Sequence, residues 1–180
     1  RPQNNAERLA SAERLADLYA GRLMADSDDP VKYQEVLRKI GLLVEKVPQA
    51  KTPSLEVMLL QAEYQRVEGL MGKSLDTPGE TAARDEAVAI LARITPQLDQ
   101  QQQELQATLD RLSAEVEKLP AGDPRDSKEK QLQRLQPVAG RAAYFAAWCH
   151  YYQARALPTS PDASSAITRA RDIFRKLLGL

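Results

Sequence analysis

Val36-Leu37-Arg38-Lys39-Ile40, Ile90-Leu91-Ala92-Arg93-Ile94 and Ile173-Phe174-Arg175-Lys176-Leu177 follow one pattern, aliphatic, bulky, variable, basic, aliphatic. Each closes a stretch with helical spacing of apolar residues. Upstream of each lies a second helix-like stretch that carries a tyrosine and ends near a leucine: Tyr19 to Leu23, Tyr64 to Leu70 and Tyr151 to Leu157. The recurring object is therefore a pair of helices. One such pair cannot bury its apolar stripe alone, so neighbouring pairs must stack to complete a core.

Working outward along the chain, apolar residues recur every three or four positions from Ala6 to Met24 through Leu9, Ala12, Leu15 or Ala16, Leu18 or Tyr19, and Leu23. This is the helical period. Asp29-Pro30 and Thr52-Pro53 each read as an N-cap followed by proline in the first helical turn, which starts a second and a third helix. Helix two stops before Pro48, and Gly69 and Gly72 are expected to end helix three. Thr77-Pro78-Gly79-Glu80 opens helix four. At Thr95-Pro96 the reading favours a new helix, with Leu98, Leu105, Leu112 and Leu119 spaced seven apart and Leu109 and Val116 between them. That is a narrow apolar seam. Pro120 to Pro124 is a turn, after which a helix from about 127 to 156 returns antiparallel to the seam, kinked at Pro137. A last helix follows Pro158 to Pro161. The expectation is a single all-helical domain over 1–180, with pairs at about 6–47, 53–94 and 97–157, the last a long hairpin, and a final helix at 162–178.

Composition agrees with helix. Ala, Leu, Gln, Glu, Arg and Lys dominate, and aromatic residues are 5% of the chain. Cys149 is the only cysteine, which excludes an internal disulfide and weakly favours a reducing, cytoplasmic setting. No run of 18 apolar residues occurs, so membrane insertion is not expected and the chain reads as soluble, while a leader removed before residue 1 stays open. The formal net charge is zero, which gives no electrostatic reason to expect nucleic acid as a partner. Positions 125–180 nonetheless hold ten Arg or Lys against four acids, a net of +6, and positions 1–124 carry −6. A basic face for an acidic partner is one reading; the favoured one is that the two ends neutralise each other within a larger assembly or are simply solvated.

Aligning the second and last pairs places Ala62 over Cys149, Tyr64 over Tyr151, Ala87 over Ala170 and Leu91 over Phe174. A small residue four positions before a bulky one lets two helices approach closely. In this respect the chain resembles the tetratricopeptide repeat family, whose second helix carries that alanine and whose first helix carries a tyrosine. The resemblance covers about half the chain. It departs in spacing, since matched units lie 54 and 83 positions apart where the family uses 34. The resemblance implies a short array of helix pairs and peptide binding in a groove.

Residues with catalytic potential are few. His150 is the only histidine, so any site needing two is excluded within one chain. Cys149 and His150 are adjacent on a helix and point about 100° apart, which defeats a nucleophile pair. Cys149 is expected in the core and His150 on a surface or half-buried. Asp26, Asp28 and Asp29 read as turn and cap residues, because the glycine and later glutamate of a calcium loop are missing. No phosphate-binding glycine loop or nucleophile elbow occurs. Five of the nine aromatic residues fall at Tyr144, Phe145, Trp148, Tyr151 and Tyr152, too many for one stripe. A helix central to the array is the favoured explanation, and an aromatic surface for a partner is the other.

The resulting expectation is a noncatalytic scaffold, without cofactor or metal, that binds a protein or peptide. Candidate contacts are Gln61, Arg66, Tyr151 and Arg155, which lie on groove-lining helices off the inferred core stripe. The alternative function is a homodimer assembled through the Leu98 to Leu119 seam.

Overall fold

The computed structural model describes the backbone of residues 2–76 and 81–179 and the side chains of 5–75 and 81–179. The start of helix four expected at Thr77 to Glu80 lies outside the described residues. Among them the chain is all-α, with six α-helices and a single 3-10 turn, and no strand. The helices are α1 (Pro2–Ala25), α2 (Pro30–Lys46), α3 (Pro53–Asp76), α4 (Thr81–Lys118), α5 (Asp123–Ala156) and α6 (Ala163–Leu177), with the 3-10 turn at Pro48–Ala50. The chain divides into two compact units, 1–90 and 91–180, with α4 contributing to both.

In the first unit α1 packs against α2 and α3. The Asp29 carboxylate caps α2, accepting from the backbone N–H groups of Val31 and Lys32 at 3.1 Å each. Lys32 beside it, together with these amide bonds, holds the Asp29 carboxyl below its ordinary range. Thr52 Oγ1 caps α3 in the same way, accepting from Leu55 N at 3.2 Å. The core is built from Ala16, Ala20 and Leu23 of α1, Tyr33, Val36 and Ile40 of α2, and Leu55 and Ala62 of α3. Small residues on α1 permit close approach, and of the alternatives in its sequence Ala16 turns inward while Leu15 and Leu18 face out. Helix α3 runs through Gly69 and Gly72, contrary to the expected stop. Two glycines cost about 1 kcal/mol each in a helix; burial of Met71 beyond Gly69 offsets the first, while no side chain described beyond Gly72 in this helix is buried.

In the second unit, residues 91–118 of α4 run antiparallel to α5. Glu115 pairs with Lys128 near the turn, and Asp99 meets His150 at the far end. Gly122 sits at the N-cap of α5 with φ +140°, a conformation that favours glycine. Pro124 then falls in the first turn, so the helix begins at Asp123, earlier than expected. Helix α6 packs on α5. No new helix begins at Pro96: α4 is continuous through it, as α5 is through Pro137. Proline removes one backbone donor, but Ile94, Thr95 and Leu98 around it are buried, and their packing holds the helix together across the gap. The Thr95 hydroxyl donates to Leu91 O at 2.8 Å, satisfying the one buried polar side chain in that turn.

Leu98, Leu105, Leu112 and Val116 are buried within the chain itself. Ala87 and Ala170, matched in the sequence alignment, are 0% and 4% exposed. Ala62 and Cys149, also matched, are both fully buried.

Candidate interaction surface

Helix α5 has two faces of opposite character. Val138, Ala142, Ala146, Cys149 and His150 lie on the buried side. At spacings of three and four, Arg141, Tyr144, Trp148, Tyr151 and Arg155 fall on the opposite side, so they form one row along the helix. Tyr144 is 45% exposed, Arg141 and Arg155 are exposed, and Trp148 and Tyr151 are half-buried. The rings cover one another edge to face: Trp148 meets Tyr151 at 5.4 Å between centroids and 89°, and Tyr144 lies 6.3 Å from Trp148 at 66°.

Helix α6 extends this surface. Phe174 packs against both Tyr144 and Trp148, at 6.1 and 5.6 Å. Ile167 and Leu178, seven positions before and four after Phe174, share its side of α6 and are 44% and 70% exposed. The antiparallel register set by Phe174 puts Ile167 toward the Tyr151 end of the row and Leu178 toward the Tyr144 end. Arg171 and Arg175 flank the apolar strip on its outer side. Between Lys130 and Ala156 the sequence of α5 contains no acid, and Asp172 is the only acid in α6.

Behind this surface lies a polar tie. Asp99 of α4 accepts from His150 Nε2, at 3.1 and 3.2 Å to its two oxygens, and pairs with Arg169 of α6 at 3.1 Å. One carboxylate thus joins three helices. His150 is buried, contrary to the surface or half-buried position expected from its sequence, because antiparallel pairing carries Asp99 to it from 51 positions away. Nothing local in the sequence announces that contact. Cys149 beside it lies in the core as expected. Burial pushes its thiol up to about 12, the Asp99 charge acts in the same direction, and a hydrogen bond with Thr95 acts against both. Such a thiol remains protonated and is a poor nucleophile at neutral pH. Among the described residues no group of three His, Cys, Asp or Glu could hold a metal ion. None of the helices is long and apolar enough to cross a membrane, among the same residues.

The four contacts expected from sequence fare differently. Tyr151 and Arg155 lie together in the aromatic row, where Arg155 Nη1 donates to Tyr151 Oη at 3.5 Å. Arg66 is engaged inside the first unit: its guanidinium lies 5.0 Å over the Tyr33 ring and pairs with Glu86 at 3.0 Å, so it links α2, α3 and α4. Its expected position off the core stripe is thus a structural bridge. Gln61 is half-buried on α3 and, five positions from Arg66, sits roughly 140° around the helix from it. Sequence reading groups Tyr144 and Trp148 with Tyr151 in one aromatic cluster but names neither of them, nor Arg141, among the candidate contacts. The three-four spacing from Arg141 to Arg155 is the signal that finds them. No protein family, curated protein or solved structure matches this chain in comparison.

Proposed function

We propose that this chain is a noncatalytic helical scaffold that binds a protein or peptide, with the aromatic row of α5 and the adjoining strip of α6 as its recognition surface. The observation that carries the reading is the row itself: Trp, two Tyr and two Arg on the face of α5 turned away from its core. These are the residue types that contribute most at protein interfaces, because they combine large contact area with polar tips. Rigid rings already braced by their neighbours also lose little conformational freedom on binding. A groove of about 690 Å³ between Gln102, Gln103 and α6 is a weaker candidate, since it has no aromatic residue and its one large aliphatic side chain, Ile173, is buried. The helical-pair resemblance to tetratricopeptide repeats fits a binding role but assigns no face.

A photo-cross-linking residue introduced at Tyr144 tests this in the native cellular context. A discrete protein adduct is expected from that position and none from Leu18, which is exposed on α1. Equal labelling from both positions, or none from Tyr144, contradicts the reading.

A further inference from the structure

We infer that the partner segment is an acidic amphipathic helix, whose apolar side covers Tyr144, Phe174, Ile167 and Leu178 and whose carboxylates reach the arginines at the rim. The inference rests on the recognition surface proposed above and adds the chemistry of what it takes. Charge complementarity is the first argument. Arg141 and Arg155 stand at the two ends of the aromatic row, about 21 Å apart along the helix axis, and among the described residues no carboxylate pairs with either. Arg175 on the α6 flank is likewise without a carboxylate partner there, whereas Arg171 is held by Asp172 at 3.5 Å. With no acid on this stretch of α5 and Asp172 already engaged by Arg171, a basic segment meets mainly repulsion, and an acidic one gains at several points of the rim.

The ring geometry argues against the other polyanion that such a surface suggests. Stacking of nucleic-acid bases needs open ring faces presented in parallel. Here the contacts of Tyr144, Trp148, Tyr151 and Phe174 with one another run from 66° to 89°, so these rings stand across one another rather than in parallel, and only Trp148 with Tyr152 comes nearer to parallel, at 33°. What remains open is a corrugated apolar strip between two helices, suited to leucine or phenylalanine side chains repeating at three and four. Arginine supplies bidentate carboxylate recognition at both ends of it.

The test uses the full chain and three labelled probes read by fluorescence anisotropy. One is a peptide of about 16 residues with Leu and Phe on a helical stripe and Glu elsewhere, long enough to span the row at roughly 24 Å. The second replaces every Glu by Lys, and the third is a single-stranded oligothymidine of equal charge. The acidic peptide is expected to bind alone, and Arg141→Glu with Arg155→Glu should weaken it by about tenfold or more without changing the thermal midpoint. Binding of the Lys peptide at equal strength overturns the acidic preference while leaving a peptide-binding surface in place. Preferential binding of the oligothymidine overturns both readings, and so does failure of both peptides to bind at about 100 μM. Unchanged affinity of the double variant overturns the assignment of the arginines.

Discussion

Asp99 is the residue on which the second unit's polar interior turns. Its carboxylate is largely buried and serves both His150, which is 6% exposed, and Arg169. Asp99→Ala leaves a buried imidazole without its partner and frees the arginine, and should lower stability by about 1–3 kcal/mol. Arg169→Ala should cost less, since that side chain is 53% exposed and its half of the pair is screened by water. Thermal or urea unfolding of the two variants checks the order; an Asp99→Ala protein as stable as the parent contradicts the tie. Cys149 offers a pH test. Its thiol ionises at about 12 when folded and near 9 when not, so the folded state is the better proton holder. The contribution of this group to stability is whole below about pH 9 and declines as pH rises toward 12. At pH 8, iodoacetamide should label Cys149 slowly in the native protein and rapidly in urea. Equal rates would place the thiol at the surface.

Helices are where most of the sequence reading succeeds, and the reasons are local. Asp29-Pro30 and Thr52-Pro53 start helices because capping and proline geometry act within four residues. The seam from Leu98 is buried in the chain because its spacing and the short turn after it suffice to find an antiparallel neighbour. Errors arise where tertiary packing overrides a local signal. Gly69, Gly72 and Pro96 each mark a helix end by propensity; Gly69 and Pro96 are crossed because buried side chains lie on both sides of each, whereas past Gly72 the helix runs on to Asp76 with no buried side chain among its described residues. The candidate site is legible in part for the same reason. The aromatic row is a pattern along one helix, whereas the roles of Arg66 and His150 depend on residues brought from other helices. The buried alanines give the prediction at this scale. Ala87→Arg and Ala170→Arg each force a long charged side chain into a close helix contact and should destabilise by several kcal/mol, on the order of 3. Circular dichroism melts matching the parent for both would show that these helices do not meet where the structure places them.

For the whole molecule, a net charge of zero conceals how charge is distributed. Some of the acidic and basic groups cancel between helices of the second unit, through Glu115 with Lys128 and Asp99 with Arg169. The arginines of the aromatic row and of the α6 flank at Arg175 do not enter that cancellation. A chain whose composition argues against nonspecific polyanion binding can therefore still present one basic, apolar-centred face. That face also contains the only tryptophan of the chain, so the emission of Trp148 reports on it without a label. Titration of the unlabelled acidic peptide into the full chain should shift this emission with the same midpoint as the anisotropy measurement. Arg141→Glu with Arg155→Glu should weaken both signals together. Peptide binding that leaves the Trp148 spectrum unchanged would contradict the account, because the partner would then be docking elsewhere.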